Sequence, residues 1–190
     1  MKAGLIIVIV ITMLVLSSVT WVITTNNMLI NAHEETNRLH AEIGNQYERR
    51  YTLIPRLVNA TKLYINYETK LLTDITEARS QWGKALASGQ NLENAASGLE
   101  NVANRLMVLV TTENYPELKG DTLVIGLMDE LAGTENRCSH ARRNYNDAVI
   151  SYNKQVRYFP NSLIAGMFGF QLRETFEING NAWNAPQVVI

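Results

Sequence analysis

The sequence predicts an all-α protein: one N-terminal transmembrane helix followed by an elongated, antiparallel, up-and-down helical bundle. Three observations carry this. The first is an uncharged apolar run near the N-terminus. The second is a stripe of apolar and small residues at 3-4 spacing that recurs over most of the remaining chain. The third is the scarcity of strand signals and breakers, with 4 Pro and 11 Gly in 190 residues.

The apolar run reads LIIVIVITMLVLSSVTWVI from Leu5 to Ile23, through Val10, Leu16 and Trp21. A helix of this length spans about 28 Å at 1.5 Å per residue, close to the ~30 Å hydrocarbon core. Residues from Ala3 to Ala32 carry no charge. Lys2 marks one interface, and Trp21 suits the other, where an indole keeps its N–H hydrated. A cleaved signal peptide is the competing reading. The run is long for one, and no small-x-small cleavage site follows, so a retained single-pass anchor over residues 1–25 is preferred. Flanking charge does not orient it: Lys2 lies before the span, and Arg38 is the nearest basic residue after it.

Residues 26–160 form the bundle. Its stripe begins Leu29, Ala32, Thr36, Leu39, Ile43, Tyr47, then Arg50 or Tyr51, Ile54 and Leu57, and continues through Ile75, Ala78 and Trp82. Pro55 interrupts it, since proline lacks a donor and disfavours helix at Ile54. Two architectures are open. If Pro55 is a turn, helices run 26–54, 56–85, 90–114 and 119–158. If it is only a kink, residues 26–85 make one rod and the helices are three very long ones. Gly89 is the expected end of one helix and Asp121 the expected cap of another. The last long stretch carries Leu123, Leu127, Leu131, Thr134, Cys138, Ala141, Tyr145, Ala148, Tyr152, Val156 and Phe159, and Pro160 stops it. Residues 161–190 form an apolar, glycine-containing tail that includes Phe168 and Phe170. The bundle, the bilayer and a neighbouring subunit are its open destinations.

Composition excludes several functions. With 17 basic and 18 acidic residues the net charge is −1, so no nucleic-acid footprint is indicated. One cysteine excludes an intrachain disulfide. His33 and His40 are seven apart, without the close spacing of helical metal sites, so no metal or other cofactor is expected. There is no nucleophile elbow, phosphate loop or zinc-protease motif, and no enzyme is expected.

Some polar residues stand out. Arg137, Arg142 and Arg143 share a helix with Glu130 and Glu135, and Arg49-Arg50 lie on another. Ion pairs within and between helices are the expected outcome, with a surface for an acidic partner or anionic lipid as the competing reading. Asn136, Asn146 and Asn153, with Tyr145 and Tyr152, make a polar ladder suited to setting register or partner number rather than to holding a ligand.

At Arg49-Arg50-Tyr-Thr-Leu-Ile-Pro55-Arg-Leu-Val58 the sequence becomes specific. Further pieces follow in order: Thr76-Glu77-Ala78-Arg79, Glu113-Asn-Tyr115-Pro116-Glu-Leu-Lys, Glu130-Leu-Ala-Gly-Thr134-Glu135-Asn136-Arg137, Ala141-Arg142-Arg143-Asn-Tyr145-Asn146-Asp147, Tyr152-Asn153 and Phe159-Pro160-Asn-Ser-Leu-Ile-Ala-Gly-Met-Phe168-Gly-Phe170. Together they resemble the LemA family of bacterial membrane-anchored proteins across nearly the whole chain. The resemblance implies a short extracytoplasmic N-terminus, one span of the cell membrane, a helical domain in the cytoplasm, and no established molecular function. His40, Arg56, Cys138 and Ser139 depart from the family pattern, which bears on packing surface. These motif residues are the candidate packing and interaction positions. The expected role is a scaffold that self-associates on the lipid bilayer as a homo-oligomer and organises or shapes the membrane. The alternative is an adaptor or receptor for another protein in membrane quality control or stress response.

Overall fold

The computed structural model describes residues 2–65, 67–112 and 121–177. Five helices account for most of them: α1 (Lys2–Thr61), α2 (Thr69–Ser88), α3 (Leu92–Thr112), α4 (Thr122–Arg157) and α5 (Asn161–Phe168). No strand occurs among the described residues. The chain divides into two compact units, one from Met1–Leu39 and Asn144–Thr175, the other from His40–Arg143 and Phe176–Ile190.

The buried positions follow the helical repeat. In α1 they are Thr25, Leu29, Thr36, Leu39, Ile43, Tyr47, Arg50, Leu53, Ile54, Leu57 and Thr61. The choice between Arg50 and Tyr51 falls on Arg50, which is 1% exposed, while Tyr51 is half-buried. In α4 the face runs Val124, Leu131, Thr134, Cys138, Ala141, Tyr145, Val149, Tyr152 and Val156. Three expected members differ: Leu123 and Phe159 are exposed, and Val149 is buried more fully than its neighbour Ala148.

Pro55 neither turns the chain nor sets up a rod to residue 85. Helix α1 continues through it to Thr61. The proline costs about 3 kcal/mol in a helix interior. Leu53, Ile54 and Leu57 are each at most 2% exposed, and burying each contributes about 1.5–3 kcal/mol, so packing wins. The break comes after Thr61, where the Ile65 amide donates to the Thr61 carbonyl at 2.9 Å and the Thr61 and Tyr67 hydroxyls bond. Gly89 ends α2 as expected, in the left-handed region at φ 68°, with its amide donating to Ala85 O at 2.8 Å. Asp121 caps α4, its Oδ1 accepting from the Leu123 and Val124 amides at 2.9 and 3.3 Å.

In the second unit the long-range pairs define an antiparallel bundle. From Arg50 back to Tyr47 in α1, the partners in α4 advance from Glu135 to Arg142. Glu48 and Tyr51 meet Trp82 and Arg79 of α2. Asp74 of α2 meets Arg105 of α3, and Ala78 lies opposite Gly98.

In the first unit, α1 and α4 pack with α5. Leu29, Tyr152, Val156, Ile164 and Ala165 form the core, with Trp21, Val22, Ala32 and Phe170 packed against it. The apolar tail thus begins as a helix, ended by Gly169 at φ 75°. The extended segment after it is held by side chains of α4: Tyr152 Oη donates to Gln171 O at 2.9 Å, Tyr145 Oη to Glu174 O at 3.1 Å, and Asn153 Nδ2 to Arg173 O at 2.8 Å. Asn153 Oδ1 accepts the Arg173 amide at 3.0 Å. The Arg173 guanidinium bonds Thr36 Oγ1 and Asn37 Oδ1 of α1. Of the candidate ladder residues, Tyr145, Tyr152 and Asn153 therefore strap this segment onto α4.

Candidate functional site: a buried ion-pair network

The bundle of the second unit encloses a charged cluster. Arg50 projects from the buried stripe of α1. Its Nη2 donates to Glu135 Oε2 at 2.6 Å, its Nε to Thr134 Oγ1 at 3.1 Å, and its Nη1 lies 3.8 Å from Glu100 Oε1. Glu100, on α3, also receives the Tyr47 hydroxyl at 2.6 Å and pairs with Arg142 of α4. Arg142 reaches the Tyr47 oxygen as well. Two arginines and two glutamates thus balance across three helices, with Glu135 at the half-exposed edge of the cluster.

The cluster is framed by aromatic rings. Tyr47 lies 5.3 Å from Trp82 and 6.5 Å from Phe176, centroid to centroid. The Trp82 indole N–H donates to Glu48 Oε2 at 3.1 Å. Arg79 places its guanidinium carbon 4.4 Å from the Tyr51 ring centroid, a cation–π arrangement. Burial, and then the Glu100 charge, push the Tyr47 phenol above its ordinary pKa. Burial likewise pushes the Cys138 thiol up to about 11. Both groups therefore stay protonated at neutral pH.

Of the motif residues singled out in the sequence, Arg49, Arg50, Arg79, Glu135, Arg142 and Tyr152 enter contacts between helices, and they do not form one site. Arg49 pairs with Glu130 at 2.5 Å on the surface. Glu77 accepts from Gln81 within α2. Asn136 and Arg143 are exposed, and Pro55 and Asn146 are half-buried. Tyr115 and Pro116 lie outside the described residues. Phe159, Pro160 and Phe168 are exposed, whereas Phe170 packs on the α5 core. Leu5, Val10, Leu16 and Ile23 are exposed along α1, and Trp21 is half-buried. His33 and His40 each find an aromatic ring, Tyr152 and Phe176 respectively, and among the described residues no acid or cysteine joins either in a metal-holding group.

Glu100 is the central residue that sequence reasoning missed. It follows the buried Leu99 and looks like any acid on a polar helix face. Its one signal is its place beside the stripe of α3, where a flank faces neighbouring helices. A depression of about 240 Å³ between α2 and α3 has a single ionisable side chain in its lining, Lys84.

The N-terminal part of α1 contains an 18-residue stretch of mean hydropathy 2.7, none of it buried, and the helix continues into a helical bundle tied by ion pairs. This defines a helical protein whose first helix fits a membrane anchor. The LemA family model matches residues 40–189, and the chain belongs to the LemA family. That match begins at His40, so the fit to a membrane anchor rests on α1 itself. The magnetosome protein MamQ 2 of Paramagnetospirillum magneticum is 23% identical over 176 residues, covering 80% of this chain and 64% of its own. Protein LemA of Metamycoplasma hominis is 23% identical over 139 residues, covering 73% of this chain and 63% of its own. The chain thus spans just under two thirds of the length of these curated relatives.

Proposed function

We propose that the protein is a non-catalytic scaffold, held in the cell membrane by α1, whose helical bundle self-associates on the cytoplasmic side. The observation that carries this is how the bundle uses its buried charges. Arg50, Glu100 and Arg142, with the half-exposed Glu135, pair across three helices, and Arg50 Nη1 is left with the 3.8 Å approach to Glu100 and no hydrogen bond. Such a cluster specifies packing and leaves no charge poised for chemistry. Self-association is read from the family-like helical bundle, which leaves Leu72, Leu86, Val108 and Leu123 exposed on three helices. The cytoplasmic placement follows the family resemblance.

Multi-angle light scattering on the full chain in mild detergent, repeated in nanodiscs, should show one defined oligomer. A strict monomer in both would overturn self-association. Crosslinking in membranes that captured one discrete foreign protein and no second copy would favour the adaptor role instead. Relatives that match this chain include proteins named for the magnetosome and for LemA itself, and the scaffold reading requires no shared cargo among them.

A further inference from the structure

The junction of α4 and α5 exposes more apolar surface than its packing explains. Tyr158, Phe159, Leu163, Met167 and Phe168 are 63%, 80%, 56%, 75% and 53% exposed. Leu163 and Met167, four apart, share one face of α5, opposite the buried Ile164 and Ala165. Two exposed basic residues of the last turn of α4, Lys154 and Arg157, stand next to this surface in the chain.

Its position on α1 says what covers it. From Gly4 to Thr20 every residue of α1 is exposed. Trp21 and Val22 are the first that the protein itself covers, and they pack on the core to which α5 contributes Ile164 and Ala165. Leu29 of that core lies about 12 Å further along the helix at 1.5 Å per residue. α5 is therefore seated where the apolar span ends, at the level of Trp21 and the next few turns. At that level α1 still exposes Ile23, Met28 and Ile30. Aromatic, aliphatic and basic side chains at this height match the chemistry of the membrane–water interface.

We propose that the α4–α5 junction is a second membrane contact, in which Phe159, Leu163, Met167 and Phe168 enter the interfacial layer of the bilayer beside the end of the α1 span. Lys154 and Arg157 meet anionic headgroups there. This rests on the reading of α1 as a membrane span.

The test uses the full chain in nanodiscs of phosphatidylcholine and phosphatidylglycerol. Nitroxide labels are placed by Met167→Cys and, separately, Leu163→Cys, with Val10→Cys as the span control and Gln90→Cys as the aqueous control. Cys138 is buried and does not compete for label under native conditions. Power saturation then compares accessibility to oxygen with accessibility to a water-soluble nickel chelate. Labels at 163 and 167 should favour oxygen over nickel, as at 10, and reverse the preference seen at 90. Nickel access like that at 90 would overturn the proposal. Protection from both reagents would also overturn it, since a second copy or another protein would then cover the face. A label at 10 that behaved like water would sink the anchoring reading as well, which separates the two failures. Phe168→Trp provides a second readout, with added indole emission expected to be quenched by brominated lipid.

Discussion

At the residue scale, Glu100 decides whether the buried charges are an asset. It stands between Arg50 and Arg142 and accepts the Tyr47 hydroxyl. Removing it strips Arg142 of its carboxylate partner and takes the second carboxylate from Arg50, which is 1% exposed and keeps only Glu135. Glu100→Ala should therefore destabilise the domain by about 3–5 kcal/mol, read from the urea midpoint of helicity. The exposed Asp74–Arg105 pair is the control, because Asp74→Ala should cost less than about 1 kcal/mol. Equal effects from the two would remove the buried network from any special place in stability. Cys138 and Tyr47 give the same region a pH dependence. Burial raises both folded pKa values, Cys138 from 9.0 to about 11 and Tyr47 above its ordinary 10.0. The unfolded chain then loses these protons first, so their stabilisation is complete below pH 9 and falls as pH rises through the folded values. Thermal melts should decline from pH 9 towards pH 11, and Cys138→Ala should flatten the early part of that decline.

At the element scale, α1 shows packing overruling propensity. Pro55 leaves the Tyr51 carbonyl without its helical donor, yet the apolar side chains around it stay buried. Replacing it should relieve a cost without moving the helix. Pro55→Ala is expected to raise stability by about 1–3 kcal/mol with unchanged helical content, by chemical denaturation and circular dichroism. A loss of stability would mean that the proline shapes α1 in a way the buried stripe does not reveal. The helix ends were easier to read, because Gly89 and Asp121 act through their own backbone and side-chain geometry. The end of α1 was not, because Thr61 and Tyr67 close the turn by a bond between side chains that carries no composition signal.

At the scale of the whole molecule, none of the described residues covers the apolar part of α1. Leu5, Val10, Leu16 and Ile23 all remain exposed. A charge at the centre of such a helix costs about 2.5–3.5 kcal/mol on insertion. Val10→Arg combined with Leu16→Arg should move the protein from the membrane fraction to the soluble fraction or to aggregates, by fractionation and carbonate extraction. Full retention in the membrane would show that other surfaces hold it there without α1. The α5 face is the natural candidate for such a contact, and its labels report on it independently.

The sequence by itself determined the helical class, the apolar N-terminal stretch, the family and most buried positions, because each is written in spacing or in ordered motifs. It also marked Arg49, Arg50, Glu135 and Arg142 as partners in ion pairs. Only the tertiary structure decided that Glu100 joins Arg50 to Arg142, that Pro55 stays inside a helix, and that Tyr145, Tyr152 and Asn153 hold the segment after α5. Each depends on which face of one element meets another far along the chain. Local periodicity sets the face, whereas the partner is chosen by burial and charge pairing among elements brought together in folding.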